Sequence, residues 1–116
     1  MNPFALGIDC RLSHSTGIGR YVREITPRVA EVFGADKILL AGGASTPHWA
    51  APLIARGAVY RPDSARPFRL AEQRMFSALA RECDLLWCPH FSVPLTAGTR
   101  LAVTVHDLIP LHVAAG

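Results

Sequence analysis

The sequence predicts an α/β domain in which helices cover both faces of a parallel sheet. Three observations lead there. Short apolar runs of strand length alternate with longer segments whose apolar residues recur every three or four positions. The first run, FALGID, has four apolar residues of six, as a short buried strand does. A turn with two glycines joins the first run to the first helical segment, where α/β domains often hold a phosphate.

The first run, FALGID at residues 4–9, is expected to be a buried strand, with a turn at residues 10–17. From Ile18 the period changes. Ile18, Tyr21, Val22, Ile25, Val29, Val32 and Phe33 fall at the spacing of one helix face, while Arg20, Arg23, Glu24, Arg28 and Glu31 fall elsewhere. Ser15 or Thr16 can cap this helix and Gly34 can end it, and Pro27 should kink it. A second strand is expected at residues 37–41 (KILLA), a short helix at 49–56 and a third strand at 58–61 (AVYR). Phe68, Ala71, Met75, Ala78 and Leu79 mark the apolar face of a helix from about residue 67 to 82. A fourth strand at 84–88 (DLLWC), a loop (PHFSVPLTAGTR) and a fifth strand at 101–105 (LAVTV) complete the pattern.

Composition narrows the function. The 116 residues, 50% hydrophobic and 18% charged, suffice for one modest core. No apolar run approaches the roughly 20 residues of a membrane span, and no signal-type segment opens the chain, so a cytoplasmic protein is expected. The three cysteines include no CxxC pair, which suggests reduced, partly buried thiols rather than a disulfide framework or zinc ribbon. The net charge of +3 is scattered, without a basic run interleaved with aromatics, and nucleic-acid binding is disfavoured. Weak attraction to an anionic membrane surface or to acidic ligands stays open. The chain stops eleven residues after the fifth strand, which suggests an incomplete domain.

Ligands of open α/β sheets gather beyond the carboxyl ends of the strands. Three features are expected at that edge: the glycine turn, the loop starting at Pro89 and His90, and the His106-Asp107 pair. In STGIGRYVREI, Gly17 and Gly19 let backbone amides approach an oxyanion, and the helix contributes a dipole of about half a charge at its start. An ordinary tight turn is the competing reading. A dinucleotide site would need a third glycine at Val22 and an acidic residue where Ala41 and Gly42 stand; no Walker-type loop exists either. His106 and Asp107 can polarise a hydroxyl or hold a sugar, or His106 can merely satisfy nearby backbone groups. Cys88, His90, His106, Asp107 and His112 match no zinc spacing, and Ser13 and Ser92 lack a nucleophile elbow. Arg100 is expected in a loop beside the site, where it could meet a phosphate or carboxylate.

The order of GIDCRL, TGIGRYVREI, EQRMF, DLLWCPHFSVPL and LAVTVHDLIPL resembles the N-terminal half of family 4 glycosyltransferases, especially bacterial mannosyltransferase-like members. The likeness runs from Leu6 to Leu111 and is weakest over residues 42–66. It implies a Rossmann-like domain, residues 1–116, forming the truncated N-terminal, acceptor-side half of a GT-B architecture. The full enzyme would be a retaining, metal-independent transferase, moving a sugar such as mannose from a nucleotide-sugar to a glycan or lipid-linked acceptor. By position, Gly17, Ile18, Gly19 and Arg20 would lie toward the donor phosphates. His106 would contact the transferred sugar with Asp107 in support, and Pro89, His90 and Phe91 would shape the acceptor side. The C-terminal donor-binding domain is absent from this sequence, so the chain alone is expected to be inactive. Further expectations are peripheral contact with the inner face of the cell membrane and a homodimer through an exposed sheet edge. A non-catalytic α/β module that binds a phosphorylated small molecule or a protein partner is the alternative.

Overall fold

The computed structural model describes residues 2–14, 17–63, 70–89 and 100–104. Five strands form one sheet, β1 (Phe4–Asp9), β2 (Ile38–Gly42), β3 (Val59–Pro62), β4 (Cys83–Cys88) and β5 (Arg100–Val103), in the order β3-β2-β1-β4-β5. Every pairing is parallel. Helices α1 (Gly17–Phe33), α2 (Ala51–Ala55) and α3 (Leu70–Glu82) cover it. The architecture is a Rossmann-like α/β domain, as the alternating pattern predicts.

Pleating divides the core in two. Leu6, Ile8 and Cys10 of the first strand and its extension, with Ile38, Leu40 and Trp87, pack beneath α1 and α2 beside Val22, Ala30 and Leu53. Leu39, Ala41, Leu86 and Cys88 face the other way, onto Met75, Phe76 and Leu79 of α3. Both faces of β2 are therefore buried along its whole length, which is why it has no polar alternation.

Helix α1 runs unbroken through Pro27, but its buried line is Gly19, Val22, Thr26 and Ala30, flanked by half-buried Ile18, Tyr21, Ile25 and Val29. Val32 and Phe33, expected on the core face, are exposed at 82% and 39%, because the helix outruns the sheet it covers. Helix α3 is turned relative to expectation: Glu72, Met75, Phe76 and Leu79 are buried, while Ala71 and Ala78 are exposed. Phe68 lies outside the described residues. The turn brings a carboxylate and an aromatic ring onto the buried guanidinium of Arg11, an interaction that hydrophobic spacing does not report.

Boundaries shift by a residue or two. The second helical segment opens as a 3₁₀ turn at His48–Ala50, and β4 begins at Cys83. Strand β3 includes Pro62, tolerable because β3 is an edge strand and its outer side has no ladder to complete.

Candidate functional site

The strand order reverses direction at β1: the chain moves outward to β2 and β3 on one side, then returns to place β4 and β5 on the other. The carboxyl ends of β1 and β4 flank this switch point, where a crevice opens in sheets of this kind. In register, Ile8 pairs with Trp87, so Asp9, Cys10 and Arg11 leave β1 next to Cys88 and Pro89 at the end of β4. The start of α1 returns to the same edge. Gly17, Ile18, Gly19 and Arg20 thus occupy the strand-to-helix passage nearest the switch point.

These four residues do different things. A Cβ on Gly19 would lie 2.7 Å from the Ser13 carbonyl oxygen and 2.9 Å from that of Leu12, so glycine here lets α1 pack on its own entry loop. Arg23 reinforces the contact, its guanidinium donating to the Ser13 carbonyl at 2.6 Å. Ile18 packs against the core beneath α1. Arg20 is exposed and pairs one turn on with Glu24, Nε to Oε1 at 3.2 Å. Gly17 alone is open: it is exposed, and a Cβ there would have no described heavy atom within 4 Å. Among the described residues, no side chain or backbone atom calls for glycine at this position by its packing.

Beneath the turn lies a charge cluster that sequence reasoning missed. The Asp9 carboxylate accepts from Arg11 three times, from the backbone N–H at 3.1 Å, from Nε at 2.9 Å and from a terminal nitrogen at 2.7 Å. The same terminal nitrogen meets Glu72 Oε2 at 2.6 Å, and the guanidinium lies 5.3 Å from the centre of the Phe76 ring. The side chains of all three charged residues are at most 5% exposed. Burial works against the charge on Arg11, but hydrogen bonds and attraction from Asp9 and Glu72 prevail and raise its pKa. The signal was available: Glu72, Met75, Phe76 and Leu79 share the three-and-four spacing, with Glu72 the single polar member.

Burial, with repulsion from Asp9, raises the Cys10 thiol well above its ordinary value and pushes Cys88 up to about 12; Cys83, buried and near Glu82, rises to about 11. All three are protonated at neutral pH and offer no thiolate nucleophile. They are fully buried rather than partly so. Among the described residues no group of three His, Cys, Asp or Glu side chains could hold a metal ion.

Pro89 is buried directly after β4, on the switch-point edge. His90, Phe91, His106 and Asp107 lie outside the described residues. Arg100 differs from expectation: it opens β5, paired with Leu85, and in a parallel sheet that places it toward the amino edge, away from the crevice. A surface groove lined by Leu70, Gln73, Arg74, Ser77 and Arg81 follows the flank of α3, and none of the switch-point residues lines it. Trp87 supplies an aromatic link at the site. Its ring meets Tyr21 of α1 edge-on, with centroids 6.0 Å apart, and its indole N–H donates to Thr104 Oγ1 at 2.9 Å.

Beside Gly42, at the end of β2, the side-chain space is taken by Tyr60: a Cβ there would lie 2.5 Å from its hydroxyl. That hydroxyl donates to the Gly43 carbonyl at 2.6 Å. No helix of the described residues is long and apolar enough to cross a membrane. Comparison with family models, curated proteins and solved structures finds no match to this chain.

Proposed function

We propose that the chain is the acceptor-side domain of a retaining, metal-independent glycosyltransferase, with the start of α1 facing the diphosphate of a nucleotide-sugar. The observation that supports this reading most is the space at Gly17 that no described residue fills, on the first turn of a 17-residue helix at the topological switch point. A glycine that no described neighbour requires for packing suits close approach of a ligand to the main chain. The helix dipole favours an anion at the same place, and no acidic side chain lies in the first turn to oppose it. The order of TGIGRY before TVHDLIP supports a sugar-nucleotide among phosphate ligands.

In this reading the acceptor oxygen forms a bond to the anomeric carbon as the carbon–oxygen bond to the diphosphate breaks. The nucleoside diphosphate leaves with the electron pair, and its freed oxygen takes up the proton that the acceptor hydroxyl gives up. First-turn amides of α1 stabilise the charge that grows on the leaving group, in concert with cationic residues of a donor-binding C-terminal domain. His106 contacts the transferred sugar and Asp107 supports it, while Pro89, His90 and Phe91 shape the side that receives a glycan or lipid-linked acceptor. The packing of Tyr60 against Gly42 supports a sugar-nucleotide over a dinucleotide, since it fills the region of an acidic ribose contact. The same reading places the protein in the cytoplasm with peripheral membrane contact, and includes a homodimer formed through a sheet edge.

Sugar transfer tests the proposal. In the transferase containing this chain, His106→Ala is expected to lower turnover about a hundredfold or more, the scale of a lost transition-state contact. Wild-type turnover in that variant would remove His106 from the mechanism.

A further inference from the structure

The loop that follows β1 is held from the strand side and from the helix side. On the strand side the Cys10 backbone N–H donates to the Ala41 carbonyl at 2.6 Å and the Ser13 N–H to the Cys10 carbonyl at 3.0 Å, while Arg11 is fixed between Asp9 and Glu72. On the helix side the Ser13 carbonyl accepts from a terminal nitrogen of Arg23 at 2.6 Å. The same nitrogen lies 3.0 Å from the point that a Cβ on Gly19 would occupy, so the bare glycine opens the path by which the guanidinium reaches the loop. Arg23 follows Gly19 by one helical turn, and a helical side chain leans toward the amino end, where this contact is made. The sign of the charge is informative. The helix dipole disfavours a cation near the amino end, and the first turn holds no carboxylate to offset one. Helix stability therefore gives no reason for arginine at position 23, whereas a charge-assisted bond to the Ser13 carbonyl does.

We propose that Arg23 is a positioning residue: by holding the Ser13 carbonyl against Gly19, it fixes the first turn of α1 relative to the carboxyl edge of β1, and so aims the amides at positions 17 to 20. The inference rests on the reading of that turn as the diphosphate contact, and it deepens that reading by naming the side chain that sets its direction.

The test reads direction rather than stability. Residual dipolar couplings of the Gly17, Ile18, Gly19 and Arg20 amides, referred to those of β1, are measured by NMR in the wild-type chain and in Arg23→Met, Arg23→Gln and Arg28→Met. Methionine keeps the apolar stem and loses the donor, and glutamine carries its donor on a stem too short to reach Ser13. Arg28→Met removes the same charge from an exposed position farther along α1. Both Arg23 variants are expected to turn these N–H vectors by more than about 10° and to move the Ser13 carbonyl ¹³C resonance, while Arg28→Met leaves both in place. Binding of inorganic pyrophosphate, followed through the same amides, is expected to weaken about tenfold in the Arg23 variants, the scale of a lost contact at a helix amino end. Vectors that keep their wild-type direction in either Arg23 variant, an equal turn in Arg28→Met, or a turn that leaves pyrophosphate affinity unchanged would overturn the proposal. If Arg23→Met fails to fold, Arg23→Gln decides. Wild-type amides that ignore pyrophosphate would remove the diphosphate reading without altering the directional result, so the two failures are distinguishable.

Discussion

Gly17 and Gly19 stand two residues apart in one turn and answer to different constraints. At Gly19 a methyl group would press on two backbone carbonyls that cannot swing aside, and Gly19→Ala is expected to cost about 1–3 kcal/mol. At Gly17 the same change meets nothing described and should alter stability by less than about 0.5 kcal/mol, while weakening any anion held there. Urea denaturation of both variants checks the contrast; equal destabilisation would mean that Gly17, too, is a packing glycine. The GxG pattern was legible in the sequence, but its division of labour was not, because only the path of the entry loop puts the Ser13 carbonyl against Gly19. Arg11 is a second case. Its guanidinium sits between two buried carboxylates, so Arg11→Met takes away the counter-charge that both face and is expected to cost about 3–5 kcal/mol, measured by thermal or urea unfolding. A loss below about 1 kcal/mol would show that the cluster is not a structural anchor.

At the scale of elements, hydrophobic spacing located each helix and strand but was less able to orient them. It placed α1 correctly and then extended its buried face to Val32 and Phe33, since periodicity carries no information about where the sheet beneath ends. Thr26, a polar residue on the most buried line of α1, escapes a reading of apolar spacing because its side chain carries a hydroxyl. In α3 the apolar stripe was misread by about one position, as Ala71 and Ala78 suit either face whereas Glu72 is drawn inward by Arg11. Helix α3 is also tied to edge strand β3 by Arg61 and Glu82, including a contact of 3.0 Å from an Arg61 terminal nitrogen to Glu82 Oε1. The hydrogen bond from Arg61 holds the Glu82 carboxyl below its ordinary value, although its burial acts the other way. Because the folded-state pKa is depressed, this contribution is present above the ordinary carboxylate range and disappears as pH falls through the lower, folded value. The pair is about a third exposed, so solvent screening limits the effect. Glu82→Gln is expected to lower stability by less than about 1 kcal/mol at neutral pH, with the difference vanishing in strong acid. A difference independent of pH, in unfolding curves recorded across that range, would point to lost packing instead.

For the whole molecule, the alternation of strand and helix correctly indicated a parallel, doubly covered sheet. It did not supply the strand order, and the order is what assembles the site. Because β1 lies between β2 and β4, the turn into α1 opens at the switch point, with Trp87 and Pro89 beside it. The same topology removes Arg100 to the amino edge, a separation invisible in a linear sequence where it lies close to His106. The central claim is that the first turn of α1 meets a diphosphate at this edge. Its most direct test is an amide NMR titration of the chain with a nucleoside diphosphate. The account predicts weak, saturable shifts centred on Gly17, Ile18, Gly19 and Arg20. Unmoved amides at these positions, or shifts confined to Arg74 and Arg81 along the outer groove of α3, would contradict it.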